Sequence, residues 1–152
     1  MLAVTMILAA LVLLMMIQLP SSYSDPEVPA IFKILTIKQT NDYGRNTLNS
    51  YMTIENTGTT GYLNLNLYAM TYRNGKLLSS SIATLNGHAF ISTHHYGVQT
   101  FGGQGSKKRV WDPNERAYID FKDGTFHTGD VVTFEVYDTV TGQIVSRHTV
   151  TA

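Results

Sequence analysis

The sequence opens with an apolar run from Met1 to Leu19 in which only Thr5 and Gln18 are polar. Every Asp, Glu, Lys and Arg of the chain lies at or after Asp25. As an α-helix, a run of this length rises about 28 Å, close to the hydrocarbon thickness of a bilayer. Each large apolar side chain gains roughly 1.5 to 3 kcal/mol on burial, so the run cannot remain in water. We predict a hydrophobic helix over residues 1–19, buried in a membrane or against copies of itself.

Two further segments follow this run. Pro20, Pro26 and Pro29 punctuate a polar stretch that cannot continue a regular helix, so we predict a neck or linker over residues 20–30. From residue 31 onward, β-branched and aromatic residues alternate with polar ones, and turn signals recur. The predicted fold class is α+β by content. It consists of the N-terminal hydrophobic α-helix followed by an all-β antiparallel immunoglobulin-like sandwich over residues 31–152.

Period-two alternation places the strands of the predicted sandwich. We expect them at residues 32–39, 47–55, 63–70, 76–82, 98–101, 117–121, 132–136 and 143–151. In the third strand, Leu63, Leu65, Leu67 and Ala69 are predicted to share one face, with Asn64, Asn66, Tyr68 and Met70 on the other. Asn74 and Gly75 are typical of a type I′ hairpin turn. The stretch 86–108 has no sustained alternation and is predicted to form long loops.

The composition disfavours several classes of function. Eleven basic and eleven acidic residues give a formal net charge of zero, so no electrostatic field marks a nucleic-acid partner, and none is predicted. The absence of cysteine excludes disulfides, thiolate metal sites and a cysteine nucleophile.

The sequence contains no recognisable catalytic or metal-binding motif. No G-x-S-x-G elbow, H-E-x-x-H or phosphate-binding glycine loop occurs, so we predict a non-enzyme without catalytic residues or cofactors. His94 and His95 are adjacent and could ligate one ion only from a loop, and no carboxylate or third histidine lies nearby, so no metal is predicted. His94, His95 and Tyr96 are interpreted instead as a possible surface recognition loop.

Several charged and aromatic residues have two interpretations. The acidic side chains near the end of the chain are more typical of turn formers or solvated charges than of paired catalytic acids: Asp112, Glu115, Asp120 and Asp123. Trp111 follows the basic run 107–109 and indicates a core or interface tryptophan. The nine tyrosines, including Tyr62, Tyr68, Tyr72, Tyr96 and Tyr118, fit either an extensive subunit interface or a sandwich core.

Three elements near the C-terminus carry a family resemblance. They are Val110-Trp111-Asp112-Pro113-Asn114-Glu115, Thr128-Gly129-Asp130-Val131-Val132 and Val136-Tyr137-Asp138-Thr139-Val140-Thr141-Gly142-Gln143-Ile144. Together with the apolar helix and the neck, they resemble an archaeal type IV pilin, where W-x-P-G/N-E, T-G-D-x-V and V-x-D-x-x-T/S-G-x-x-I elements recur. Residues 1–10 resemble the middle of that family's hydrophobic helix. Because the family carries a basic signal and a processing site ahead of its helix, we expect further residues upstream of Met1.

This resemblance implies a structural subunit of an extracellular pilus that serves adhesion or surface attachment. Its helices would form the filament core through Val4, Ile7, Leu8, Leu11, Val12, Leu14 and Met15, with the heads outside. The implied partners are copies of the chain in a helical homopolymer, the membrane before assembly, the pilus assembly machinery and a processing peptidase. The implied location is the cell surface, after membrane insertion.

Three alternatives remain open. The first is a permanently membrane-anchored surface or stator/binding domain that does not polymerise. The second is a secreted binding module whose apolar run is a signal peptide, although that run is longer than the usual ~7 to 15 residue hydrophobic region and lacks a basic flank. The third, ranked last, is an enzyme with a site on the loops of residues 86–108.

Overall fold

The computed structural model describes residues 26–40, 43 and 45–152. The predicted helix over residues 1–19 and Pro20 of the predicted neck lie outside these residues. The side chains assigned to a filament core lie outside them as well: Val4, Ile7, Leu8, Leu11, Val12, Leu14 and Met15. Pro26 and Pro29 are described, and they lie on an exposed stretch without regular secondary structure that leads into the first strand.

Ten strands and one short α-helix make up most of the regular structure of the described residues. The strands are β1 (Phe32–Thr40), β2 (Asn46–Asn56), β3 (Tyr62–Leu63), β4 (Leu67–Arg73), β5 (Lys76–Leu77), β6 (Val98–Gly102), β7 (Val110–Trp111), β8 (Arg116–Phe121), β9 (Val131–Asp138) and β10 (Ile144–Thr151). The helix α1 (Gln104–Lys107) lies between β6 and β7, and two single 3₁₀ turns occupy Asn64–Asn66 and Ser92–His94.

The predicted α+β class, with a hydrophobic helix ahead of a sandwich, is wrong. The described residues are nearly all β, and their only α-helix is the four-residue α1. Within residues 26–40, 43 and 45–152, no helix is long and apolar enough to cross a membrane.

The strands form two four-stranded antiparallel sheets and one small ladder. The first sheet has the order β1-β2-β8-β6, the second has the order β10-β9-β4-β5, and β3 pairs with β7. Constant-type immunoglobulin domains order their strands A-B-E-D on one sheet and C-F-G on the other. Both sheets here follow that order, with the short β5 added beside β4.

Period-two alternation decides which side chains enter the core. On β8, the side chains of Ala117, Ile119 and Phe121 are buried, whereas those of Arg116 and Tyr118 face outward. The strand predicted over residues 117–121 coincides with β8. The corresponding positions on β9 are also buried, namely Val132, Phe134 and Val136.

The apolar faces of the two sheets close over one hydrophobic core. Phe32 of β1 packs on Trp111 with ring centroids 4.8 Å apart, and Phe121 of β8 meets Phe126 edge-on at 5.0 Å. Fully burying one such side chain is worth roughly 1.5 to 3 kcal/mol. These rings therefore supply much of the stability of a domain whose described residues hold no disulfide.

The strand predicted over residues 63–70 is wrong in its first half. A 3₁₀ turn occupies Asn64–Asn66, so Leu65 is 58% exposed while Asn64 is fully buried. The Asn64 amide donates hydrogen bonds of 2.7 and 2.8 Å to the carbonyls of Gly105 and Lys108. Satisfying these buried carbonyls outweighs the burial of Leu65, and the inward positions Leu67 and Ala69 follow only in β4.

A side-chain contact joins the two sheets at the β1–β10 corner. The hydroxyl of Ser146 accepts hydrogen bonds of 2.9 Å from the backbone N–H groups of Ile31 and Phe32. Two residues further along each strand, the Nδ1 atom of His148 accepts a hydrogen bond of 3.0 Å from the backbone N–H of Ile34. The edge of one sheet is thus tied to the edge of the other.

Candidate functional site

The outer face of the second sheet carries large aromatic and sulfur-containing side chains where a solvated strand usually carries small polar ones. On β4, half-buried Tyr68, Met70 and Tyr72 alternate with buried inward residues. We call the surface formed by these three residues together with Glu135, Tyr137 and Arg147 the tyrosine face.

The rings of the tyrosine face are held in place by their neighbours. Tyr68 is directly opposite Tyr137 in the β4–β9 ladder, and the two rings stack with centroids 5.0 Å apart and planes 13° apart. The hydroxyl of Tyr72 lies 3.9 Å from the Met70 sulfur, to which it donates. Stacked tyrosines at directly opposed positions stabilise a sheet by about 0.2 to 1 kcal/mol, so the surface is ordered before any partner arrives.

A buried carboxylate lies at the centre of the tyrosine face. Glu135 is only 4% exposed, although its side chain belongs to the outer side of β9. Its Oε1 accepts a 2.6 Å hydrogen bond from Nε of Arg147, and its Oε2 accepts from the hydroxyl of Tyr137. Burial, followed by the hydrogen bond to Glu135, raises the pKa of the Tyr137 hydroxyl well above its usual range. Tyr137 therefore stays a neutral hydrogen-bond donor at any physiological pH.

A pocket opens at the β4 edge of the tyrosine face because the returning chain bows away from the sheet. Continuing the pairing of Tyr72 with Leu77 would place Ala69 opposite Ser80, yet Ala69 pairs with Ile82. The N–H of Leu78 donates to the Thr71 carbonyl at 2.9 Å on one side of this bulge. On the other side, the N–H of Ala69 donates to the Ile82 carbonyl at 3.0 Å. The cavity between these two ties measures about 270 Å³.

The lining of this pocket is largely apolar. The apolar lining residues include Met70, Leu77, Leu78 and Ile82, and Tyr68 of the tyrosine face lines the pocket as well. The serines at positions 79–81 complete the returning side of the pocket. A concave apolar site beside rigid aromatic rings can accept a single apolar side chain from a partner.

The recognition loop predicted from the sequence is placed on the protein surface only in part. Tyr96 is 68% exposed and His94 is also exposed, whereas His95 is 3% exposed. The His95 ring packs against Phe90 at 4.5 Å, and its Nδ1 lies 2.9 Å from the carbonyl of Ile91. The recognition role of this loop stays a prediction. Of its three residues, only His94 and Tyr96 have exposed side chains that a partner could contact, because His95 faces inward.

The acidic residues of the last third of the chain are distributed over different surroundings. Glu115 pairs with Lys108, and its Oε2 accepts from the N–H of Asp112 at 3.1 Å. Burial alone would raise the pKa of Glu115, but the hydrogen bonds from Lys108 and Asp112 outweigh burial and lower it. Asp120 lies instead on the outer face of β8. Among the described residues, no three His, Asp or Glu side chains are grouped so that they could hold a metal ion.

Trp111 is a core residue and not a surface one. It is fully buried, and its indole N–H donates to the Glu115 carbonyl at 2.8 Å. The Asn56 amide donates to the Trp111 carbonyl at 3.0 Å. The segment from Val110 to Glu115, part of the family-like ending, thus closes one end of the core.

Sequence reasoning found part of the tyrosine face. The sequence leaves Tyr68 and Tyr72 open between a subunit interface and a sandwich core, and it predicts Met70 on the same strand face as Tyr68. The sequence does not single out Glu135 and does not place Tyr137 beside Tyr68, because only the β4–β9 register brings them next to β4. The available signal was the run Tyr68-Ala69-Met70-Thr71-Tyr72, which places bulky residues at every outward position.

Among the comparisons with known proteins, only the comparison with solved structures finds similar proteins. No family profile and no curated protein matches the chain. The archaellum periplasmic stator protein FlaG from Sulfolobus acidocaldarius is similar with a TM-score of 0.43 and 13% identity, over 80% of this chain and 97% of that chain. The stator protein complex of FlaF and FlaG from the same organism gives a TM-score of 0.47 and 12% identity, over 87% of this chain and 99% of that one. Likenesses this distant assign no function to the chain.

These findings correct the pilin interpretation. The two structures reported above are described as archaellum periplasmic stator proteins, and nothing in the comparisons identifies this chain as a type IV pilin. The pilus and helical-polymer assignments are corrected because no comparison supports them, and the transmembrane assignment has no support in the described residues.

Proposed function

We propose that this chain is a non-enzymatic binding domain at the cell surface, which docks a protein partner through the tyrosine face and does not polymerise. This is the surface or stator/binding alternative among the functions expected from the sequence. The observation that carries the proposal is the combination of ordered tyrosine rings and an apolar pocket on one outer sheet face.

The composition of the tyrosine face supports a protein partner. Tyr, Met and Arg are enriched in protein–protein interfaces relative to the rest of a protein surface, and Tyr and Arg dominate their binding energy. A tyrosine offers a large contact area and loses little conformational entropy, particularly where stacking already fixes its ring. Tyr68 and Tyr137 meet that condition.

The pocket supports a partner with one protruding apolar side chain. Interface residues that contribute most to affinity fill well-packed pockets and are surrounded by contacts that exclude water. Here Met70 and Tyr68 line the pocket and also belong to the flat surface beside it. One partner segment can therefore cover the rings and insert an anchor at the same time.

A single docking face also fits a domain that does not polymerise. Open helical polymers need two different and mutually complementary patches on every subunit. The proposed docking requires one patch and a different protein to cover it.

Site-specific photo-cross-linking of the full chain in the cells that make it tests the proposal. A benzophenone amino acid at Met70 should give an adduct with a protein other than this chain, identified by mass spectrometry. The same group at Thr36, an exposed position of β1 on the other sheet, is the matched control and should not give that adduct. An adduct made of two copies of this chain, or the same adduct from both positions, would contradict the proposal.

A further inference from the structure

The outer face of the first sheet carries a second constellation, which the tyrosine face does not include. Lys38 of β1 lies opposite Tyr51 of β2, and Tyr51 lies opposite Asp120 of β8. The three side chains thus form one lateral row on the outer face. Because neighbouring strands are about 4.8 Å apart, the Lys38 and Asp120 backbones are separated by about 10 Å, with the Tyr51 ring between them.

A second ring extends this row along the strands. Tyr118 precedes Asp120 by two residues on the same face of β8 and is 37% exposed. Its ring stacks on that of Tyr51 with centroids 5.8 Å apart and planes 21° apart. Burial, followed by Tyr118 and Asp120, raises the pKa of Tyr51, so this hydroxyl also stays protonated.

An open cavity of about 360 Å³ lies over the row and is lined by Lys38, Thr40, Asn49, Tyr51 and Asp120. Within the part of the chain that the structure describes, the side chains of Lys38, Asn49 and Asp120 make no hydrogen bond or ion pair with one another or with other groups. The nearby charges Arg116 and Glu55 on the same face do pair, at 2.7 Å. Tyr51 separates Lys38 from Asp120, so their hydrogen-bonding capacity remains available to a ligand.

The charges over this cavity select the chemistry of that ligand. An anion would be repelled by Asp120, and a cation would be repelled by Lys38. A neutral ligand that both donates and accepts hydrogen bonds satisfies the ammonium, the carboxylate, the Asn49 amide and the Thr40 hydroxyl together. The lining is also mostly polar, which does not suit an apolar peptide anchor.

We propose that this cavity is a binding site for a neutral saccharide. A pyranose ring has an apolar C–H face, which fits the face of an aromatic ring, and a rim of hydroxyls that both donate and accept. The sugar ring lies against Tyr51, with Lys38 and Asn49 donating to its hydroxyls and Asp120 accepting from them. Charge-assisted hydrogen bonds are the stronger ones, so Lys38 and Asp120 contribute most of the polar selectivity. The cavity is open to solvent, so the affinity for a monosaccharide lies in the millimolar range.

A titration of the full chain followed by ¹H–¹⁵N NMR tests the site. The chain is kept in a detergent without a sugar headgroup, because residues 1–19 are apolar. The probes are the methyl glycosides of glucose, galactose, mannose and N-acetylglucosamine. At least one should give saturable shifts in the amides of Asn49, Tyr51 and Asp120, with an apparent Kd of millimolar order.

Three variants make the result specific. Asp120→Asn keeps the size of the side chain and removes its charge, and it should weaken the apparent Kd about fivefold or more, since a charge-assisted bond becomes a neutral one. Tyr51→Ala should abolish the saturable shifts, while well-dispersed spectra show that the variant is folded. Tyr68→Ala, on the tyrosine face, should leave the titration unchanged. The site is refuted if no glycoside shifts these amides, if Asp120→Asn binds as well as the wild type, or if glycine or sulfate gives the same shifts.

Discussion

At the scale of single residues, His148 shows how one ring nitrogen ties a charge state to the fold. Its Nδ1 accepts from the Ile34 N–H at 3.0 Å and can do so only while that nitrogen is unprotonated. Burial, assisted by the charge of Lys33, lowers the pKa of His148 below its ordinary 6.5. The folded state therefore favours the neutral form of His148.

We predict a loss of stability with acid that is specific to this histidine. Because the folded-state pKa is lowered, the contribution of neutral His148 is complete above pH 6.5 and is lost as the pH falls through the folded pKa. His148→Gln retains an acceptor and does not titrate. Urea denaturation from pH 7.5 down to about 5 should show a smaller drop in midpoint for the variant than for the wild type. Parallel curves for the two proteins would contradict the assignment.

The pKa of Asp120 is shifted in the opposite direction to that of His148. Burial, followed by the charge of Asp123, raises its pKa above 3.8, so the ionised form is disfavoured in the folded protein. The resulting destabilisation is absent below pH 3.8 and complete above the folded-state pKa. A binding group that has no internal partner commonly costs stability in this way.

Asp120→Asn is therefore predicted to raise the melting temperature at pH 7, with a difference that shrinks towards pH 3. Thermal unfolding followed by circular dichroism at the two pH values measures this. Asp138→Asn is the matched control, because the backbone N–H groups of Thr141 and Val140 lower the pKa of Asp138. The control should not be stabilised at pH 7, and a similar gain in both variants would exclude the proposed cause.

At the scale of elements, the turn of the hairpin between β4 and β5 is predictable from the sequence. Asn74 and Gly75 adopt φ values of 51° and 76°, as a type I′ turn requires, and Arg73 pairs with Lys76 across it. The turn chemistry is local, so the sequence determines it without reference to the rest of the fold. The strand predicted over 76–82 ends at Leu77, because the bulge that follows depends on contacts across the sheet.

Other elements depend on partners distant in sequence. The burial of Asn64 requires the carbonyls of Gly105 and Lys108, which lie more than forty residues away. Alternation alone assigned the wrong face to Leu65 for that reason. The tyrosine face is only partly predictable for the same reason, because Tyr137 becomes the neighbour of Tyr68 only through the β4–β9 register.

Asn56 carries a prediction at this scale, because its amide joins β2 to the segment around Trp111. Its Nδ2 donates to the carbonyls of Thr60 and Trp111, each at 3.0 Å, and the residue is fully buried. Asn56→Ala should lower the free energy of unfolding by about 1 to 3 kcal/mol, the cost of leaving buried polar groups unpaired. Asn66→Ala, a partly exposed asparagine near the start of β4, should change it by less than about 0.5 kcal/mol. Urea denaturation measures both, and equal effects would contradict the role of the Asn56 amide.

At the scale of the whole molecule, the two sheets meet in a core and along one tied corner. The sheet order could not be predicted from the sequence, since alternation fixes which face of a strand is buried but not which strand lies beside it. The residues that make up each outer face consequently could not be grouped into one surface from the sequence alone. They lie on different sheets, so the proposed protein docking and the proposed saccharide binding can occur in one molecule independently.

Substitution of Ser146 tests whether this corner holds the two sheets together, because the Ser146 hydroxyl accepts hydrogen bonds from two backbone N–H groups across it. Ser146→Ala leaves the N–H groups of Ile31 and Phe32 without that acceptor, and each unsatisfied buried group costs about 1 to 3 kcal/mol. We expect a loss of about 2 to 4 kcal/mol in the free energy of unfolding, with a single cooperative transition retained because the core is unchanged. Thr149→Ala is the control on the same strand, since the exposed Thr149 side chain bonds to the Thr133 hydroxyl at 2.8 Å and not to a buried backbone group, and it should be nearly neutral. If Ser146→Ala were as stable as Thr149→Ala in urea, the corner would not hold the sheets together.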